Sequence, residues 1–181
     1  SNMPTVSCII LNYNHKNELG SVIECATQQT IPFDEILIVD DNSKDGSVAE
    51  IKKLTRGAER VSIIARRKNL GVARGIKDAI EKASCEFIFL MSMQITYSKQ
   101  LVEEFHESIK RHPRSLMVSG NIQIITKHNK LRELRLPFAN RHTGVTPDLV
   151  LDHFSRGVFT FFGGANFLHK QSIIDNKLYV E

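Results

Sequence analysis

The sequence has only three cysteines, Cys8, Cys25 and Cys85, with no metal-binding spacing. A sparse, odd count argues for reduced thiols in a cytosolic setting rather than a disulfide framework. Cys8 lies in an apolar strand and Cys25 in a helix, where burial is the usual fate. No apolar run approaches the length of a membrane span, and Ser1-Asn2-Met3 lacks signal-peptide character. Ser1-Asn2 ahead of Met3 reads as a cloning remnant, with Met3 as the native start. The Gly-x-Gly-x-x-Gly dinucleotide motif and the Gly-x-x-x-x-Gly-Lys phosphate loop are both missing, which counts against NAD-dependent and ATP-hydrolysing classes. No Ser-His-Asp or Cys-His arrangement stands out. The seven histidines hold no His-Glu-x-x-His pair, and His153 and His169 read as loop or packing residues. Internal repeats and low-complexity tracts are absent. The clustered Lys/Arg footprint of a nucleic-acid binder is absent too. Arg66-Arg67-Lys68 is the densest basic cluster, and it reads equally well as a solvated loop or as a phosphate-facing one.

What is present suits one folded domain. The chain has 181 residues, 41% hydrophobic and 24% charged, enough for a real core. The net charge of +4 and a sequence pI near 9.0 are compatible with an anionic ligand or an acidic membrane surface.

Hydrophobic periodicity sets out an alternation. Val6 to Leu11 is a nearly continuous apolar run, as expected of a strand buried on both faces. Leu19, Val22, Ile23 and Ala26 mark a helix from Leu19 to Gln29, closed by Pro32. Ile36 to Val39 is a second buried strand that stops at Asp40-Asp41-Asn42-Ser43. Ser43 or Asp45 is expected to cap a helix running to Leu54, with Gly57 ending it. Val61 to Ala65 is a third strand, and Asn69-Leu70-Gly71 turns into a helix carrying Val72, Ile76, Ala79, Ile80 and Ala83. Phe87 to Met91 is a fourth strand, and Ser98 to Lys110 a fourth helix. Beyond Pro113 the pattern thins. Leu116 to Ile125 reads as one or two strands around Gly120, followed by an alternating stretch through Leu131, Leu134 and Leu136. Asp148 to Phe154 reads as a short helix. Val158 to Phe162 and Ala165 to His169 read as strands, with no closing element after them.

Strand–helix alternation predicts an α/β, doubly wound, mainly parallel sheet flanked by helices, with right-handed crossovers. Ligands bind such sheets beyond the carboxyl ends of the strands. Asn12 to Asn14, Asp40 to Ser43, Arg66 to Gly71 and Ser92 to Gln94 are therefore expected to converge on one rim. Adjacent carboxylates at a strand end are costly unless donors or a cation meet them. Asp40-Asp41 thus reads as a ligand contact, although Asp-Asp-Asn-Ser is also good turn chemistry. Tyr13 can stack on a flat base. Gly71 permits a tight turn whose free helix amides attract anions, with Arg74 one turn in.

These residues together resemble the opening of family 2 glycosyltransferases with the GT-A fold, a Rossmann-like architecture. The matching features are Asn12-Tyr13-Asn14, Gln29-Thr30, Glu35, Asp40-Asp41-Asn42-Ser43-x-Asp45-Gly46, Asn69-x-Gly71 and Glu86-Phe87-Ile88-Phe89-Leu90. Gly163-Gly164-Ala165-Asn166-Phe167 and Lys170-Gln171-Ser172 resemble the family's later acceptor-side strand. The resemblance implies a single GT-A-type domain over 1–181, truncated at its C-terminus. It implies binding of a nucleoside-diphosphate sugar, a uridine diphosphate sugar first, and inverting transfer to a glycan or lipid-linked acceptor in bacterial polysaccharide synthesis. By that likeness Asp41 contacts the base, Asp40 supports it, and Leu11, Tyr13 and Asn14 line the base and ribose pocket. Asn69, Arg74, Ser92 and Gln94 neighbour the donor, and Gly164 and Asn166 face the acceptor. A cytoplasmic setting follows, the inner face of the membrane included, with no nucleic-acid partner.

Two departures accompany the likeness. The family's Asp-x-Asp metal motif is expected after Met91, where this chain has Ser92-Met93-Gln94. Neutral oxygens are poor ligands for the Mg²⁺ or Mn²⁺ usual in the family, so no metal ligand is assigned and weak or absent metal binding is expected. The chain also stops at Glu181, ahead of the family's catalytic-base region, so no catalytic residue is assigned. The alternative function is a non-catalytic module that kept the fold and lost metal-dependent activity. A nucleotidyltransferase shares the sheet but finds no Gly-rich basic signature at the first strand–helix turn.

Overall fold

The computed structural model describes residues 2–93, 95–119, 122–125, 131–134 and 166–175. Gln94 and Gly164 lie outside the described residues, as do the expected helix 148–154 and strand 158–162.

Strand β1 (Val6–Asn12) is central because five of its seven side chains are apolar and all but Leu11 are buried. Its alternate residues feed two cores. Val6, Cys8 and Ile10 face α1 (Leu19–Thr27), α2 (Ser47–Leu54) and α4 (Leu101–Arg111), while Ile9 faces α3 (Val72–Lys82). Period-2 side chains on a strand covered on both faces require this division. Strands β2 (Glu35–Asp40), β3 (Val61–Ala65) and β4 (Phe87–Met91) complete a parallel set, with β2 and β4 flanking β1 and β3 outside β2. The doubly wound architecture is thus as the alternation predicts.

The far edge is mixed. β8 (Asn166–His169) runs antiparallel to β4, and β5 (Met117–Ser119) runs antiparallel to β8, giving the sheet order β3-β2-β1-β4-β8-β5. Phe167 locks β8 in place. Its ring stacks on Phe105 of α4 with centroids 4.4 Å apart and meets Phe89 of β4 at 4.6 Å. Such aromatic pairs add about 1 kcal/mol beyond their buried area. The chain after Gly120 forms a separate pair, β6 (Ile122–Ile125) with β7 (Leu131–Leu134). A short helix, α5 (Lys170–Asp175), follows β8 directly and buries Ile173, an element the hydrophobic pattern did not reveal.

Gln29 shows how α1 and α4 are held together. It is buried, its amide donates to the Cys25 and Ser98 carbonyls at 3.0 and 2.9 Å, and it accepts from Val102 N. No helix among the described residues is long and apolar enough to cross a membrane.

Candidate functional site

Strand register assembles the rim. Asn12 pairs with Asp40, and Asp40 with Ala65, so the residues that follow β1, β2 and β3 emerge side by side. Backbone bonds run beyond the strands: Asp41 N donates to Asn12 O and Arg66 N to Asp40 O, each at 2.9 Å.

The two aspartates part company here. Asp40 is fully buried on the α1–α2 side. Its Oδ1 accepts from Asn12 Nδ2 at 2.8 Å and from Ser43 Oγ at 2.7 Å, and its Oδ2 accepts from Ser43 N at 2.9 Å. The Ser43 hydroxyl also accepts from Asn14 N at 2.9 Å and from Asn12 Nδ2 at 3.3 Å, using its full bonding capacity. Lys44 N donates back to Asn14 Oδ1 at 2.8 Å. Asn14 and Asn42 both adopt left-handed backbone, at φ 56° and 64°, a conformation Asn tolerates better than most residues. Asp40 is therefore the staple of the β1 and β2 loops. Ser43 is consumed in this network and does not cap α2. The chain turns instead at Gly46 (φ 85°), and Asp45 Oδ1 accepts from Ser47 N at 3.0 Å just before the helix.

Asp41 turns the other way, toward the loop ahead of α3. Its Oδ1 accepts from Leu70 N and its Oδ2 from Gly71 N, both at 2.9 Å. Gly71 sits at φ 85°, where a side chain would be strained, and Asn69 Oδ1 accepts from the same Gly71 N at 3.2 Å. Arg66 completes the cluster. Its side chain is only 7% exposed, with Nη1 3.8 Å from Asp41 Oδ1 and Nη2 bonded to Asp78 and to the Arg74 carbonyl. Arg66 was expected on this rim within the Arg66–Gly71 loop, its basic cluster reading equally well as solvated or phosphate-facing, but its burial and its pairing with Asp41 were not foreseen. The available signal was its place directly after β3, beside the acid that ends β2.

Two buried polar atoms at this rim have no hydrogen-bond partner among the described residues, Asn12 Oδ1 and Arg66 Nη1. Leaving such atoms unpaired costs about 1–3 kcal/mol each, so they suit contacts a ligand completes.

The remaining predicted residues spread around this centre. Tyr13 is 47% exposed on the rim. Leu11 faces α3 and packs against Gly75, where a Cβ would stand 3.4 Å from Leu11 Cδ2. Asn69 is exposed, and Arg74 is 63% exposed but leans along its helix, with Nε 3.4 Å from Asp78 Oδ1. Ser92 follows β4 on the opposite flank of β1, one residue past the Ile10–Met91 pair. Its N–H donates to the Tyr97 hydroxyl at 3.0 Å. Asn166 is buried at the start of β8, which antiparallel pairing puts toward the carboxyl end of β4. The four predicted loops thus share one end of the sheet. Direct bonds unite the β1, β2 and β3 loops, and Ser92 stands apart from them.

Burial pushes the Tyr97 phenol up to about 12, against the opposing effect of the Ser92 N–H. The ionised form is therefore disfavoured in the folded state. The stability this contributes is complete below pH 10 and is lost as pH rises toward 12. Wild type is expected to lose about 1 kcal/mol more than Tyr97→Phe between pH 9 and pH 11, read by urea denaturation at those two values.

The comparisons agree with this geometry. Cholesterol galactosyltransferase of Borreliella burgdorferi is 24% identical over 163 residues, covering 90% of this chain and 45% of that protein. A putative teichuronic acid biosynthesis glycosyltransferase of Bacillus subtilis, TuaG, is 26% identical over 101 residues, covering 56% of this chain and 40% of that protein. The chain thus spans less than half the length of these curated relatives. Among solved structures, S. aureus TarS 1–349 superposes with a TM-score of 0.77 at 19% identity, over 98% of this chain and 50% of that one. A Pyrobaculum calidifontis mannosyltransferase gives 0.59 at 18% identity, over 66% and 36%. These structural likenesses establish the GT-A, Rossmann-like fold. The sequence itself matches glycosyl transferase family 2 over residues 7–176, and the chain belongs to that family.

Proposed function

We propose that this chain is the donor-binding part of a glycosyltransferase that moves a sugar from a nucleoside diphosphate, uridine diphosphate first, to a hydroxyl of a glycan or lipid-linked acceptor. The observation that carries the reading is the pair of buried atoms at this rim without a hydrogen-bond partner among the described residues, the donor Arg66 Nη1, 3.8 Å from Asp41 Oδ1, and the acceptor Asn12 Oδ1 on the Asp40 side. An acceptor, a donor and a carboxylate on one rim suit the edge of a nucleobase, and exposed Tyr13 offers a ring for its face. Asp41 accepts from the base, with Asp40 holding the loops behind it. Leu11 and Asn14 border the base and ribose, and Asn69 and Arg74 flank the donor. Asn166, with Gly164, belongs to the acceptor side. Structures of TarS with UDP-GlcNAc and of the Pyrobaculum enzyme with GDP-Man and Mn²⁺ support a nucleotide sugar as the ligand class.

The proposed chemistry is inverting. The acceptor oxygen attacks the anomeric carbon as that carbon's bond to the diphosphate oxygen breaks. The hydroxyl proton passes to a carboxylate base. Family membership favours such transfer over a non-catalytic module.

The residues after β4 do not fit a hard divalent cation. Ser92 and Gln94 supply neutral oxygens, and no group of three His, Cys, Asp or Glu side chains gathers among the described residues. The reaction proposed therefore routes no step through a metal. The reading gives the diphosphate charge to Arg74 and the amides at the start of α3, a helix N-terminus being favourable for an anion.

Calorimetric titration with uridine diphosphate, with and without Mn²⁺, tests both points. Wild type is expected to bind it with an affinity that Mn²⁺ changes by no more than about twofold. Ser92→Asp combined with Gln94→Asp is expected to gain at least about tenfold in affinity when Mn²⁺ is added. Failure to bind any nucleotide sinks the donor-site reading. A double variant indifferent to Mn²⁺ shows that the loop does not face the diphosphate.

A further inference from the structure

We infer that the pocket between β3 and α3 is a second ligand site, for a small anionic molecule with an apolar body. The pocket holds about 390 Å³, within the range of sites that take small ligands. Val39 and Ile64 form its floor, and exposed Leu70 is a further apolar group at its edge. The floor stays open because β3 is the outermost strand, while α3 packs over β1 and β2. Three cations stand around it, Arg67, Lys68 and Lys82, and all three are exposed. None of them forms an ion pair among the described residues. Asp78, the carboxylate in the lining, is already engaged by Arg66 and Arg74.

The balance of groups selects the ligand. An inorganic anion leaves the apolar floor unused, and a neutral hydrophobe leaves three unpaired cations unused. An alkyl chain ending in phosphate or carboxylate uses both. Arg66 lines this pocket and also stands 3.8 Å from Asp41 at the nucleotide rim, so the two sites adjoin and share this guanidinium. The cations and apolar groups that carry the inference, Arg67, Lys68, Lys82, Val39, Ile64 and Leu70, are separate from those of the donor-site reading.

Octyl phosphate, kept below its micelle-forming concentration, is the probe, titrated calorimetrically beside inorganic phosphate and octanol. Octyl phosphate is expected to bind at least about tenfold more tightly than either. Lys68→Glu with Lys82→Glu, both on the surface, is expected to weaken it by about tenfold or more with the thermal midpoint retained. Saturating uridine diphosphate is expected to leave the affinity unchanged. Equal affinity for inorganic phosphate and octyl phosphate overturns the inference, as does wild-type affinity in the double variant. Displacement by uridine diphosphate also overturns it, by assigning the pocket to the donor site. Binding to phosphatidylglycerol vesicles without affinity for monomeric octyl phosphate overturns it as well, since the patch is then a membrane-docking surface. A protein that binds octyl phosphate but no nucleotide keeps this inference while losing the donor-site reading.

Discussion

Asp41→Asn is expected to weaken uridine diphosphate binding by about 10- to 100-fold, roughly 1.4–2.8 kcal/mol. Two effects combine. The proposed contact to the base changes from a carboxylate acceptor to an amide, and charge-assisted hydrogen bonds are about twice as strong as neutral ones. The loop also loosens. Leu70 N and Gly71 N each need an acceptor at 2.9 Å, and an amide offers only one oxygen to the pair. Its NH₂ then faces a backbone N–H, and Arg66 loses the negative charge 3.8 Å from Nη1. Asp78 still holds Arg66, so the fold is expected to survive with a loss of about 1 kcal/mol. Calorimetry against uridine diphosphate, paired with urea denaturation, separates the two effects. Wild-type affinity in this variant refutes the assignment of Asp41 to the base.

How much of this was legible beforehand depends on the kind of signal. The strands through Met91 carry long apolar runs, and α1, α3 and α4 repeat Leu, Ile, Val and Ala at helical spacing, so periodicity located them within a few residues. Convergence of the loops follows from parallel topology, and so it was legible too. β8 was readable as a strand, but its antiparallel pairing with β4 is fixed by contacts of Phe167 with Phe89 and Phe105, which are distant in sequence. Short local patterns carry no such information. The six residues of α5 lack a full helical repeat, which explains their omission. In the site, Asp40 and Asp41 were marked as the centre, but composition could not divide their tasks. Strand alternation does: it turns Asp40 to the Asn12 face and leaves Asp41, past the last ladder position, free to reach the α3 loop. Arg66 was expected on the rim, but its burial was not legible, because a charged residue in a basic cluster normally reads as solvated, whereas register with β2 buries this one.

Asp40→Ala, by contrast, is expected to act on the fold. Removing the carboxylate takes the acceptor from Ser43 N and the Ser43 hydroxyl and leaves Asn12 Nδ2 only its longer bond to Ser43 Oγ, in a buried to partly buried place where each orphaned group costs about 1–3 kcal/mol. A loss near 3 kcal/mol in urea denaturation is the expected result, a large share of the 5–15 kcal/mol typical of a domain (about that range). Asp40→Asn discriminates charge from geometry. Its oxygen can keep Ser43 N while the Asn12 amide rotates to accept from the new NH₂, so the cost falls to about 1 kcal/mol. If both variants lose the same amount, the buried negative charge matters more than the bonds. If Asp40→Ala loses less than about 1 kcal/mol, the network is not what holds the two loops. Measured together, the neighbouring carboxylates should give opposite profiles: stability collapses on changing Asp40, and nucleotide affinity on changing Asp41. That crossing is the physical content of two adjacent acids at one strand end, one spent on building the rim and the other left to use it.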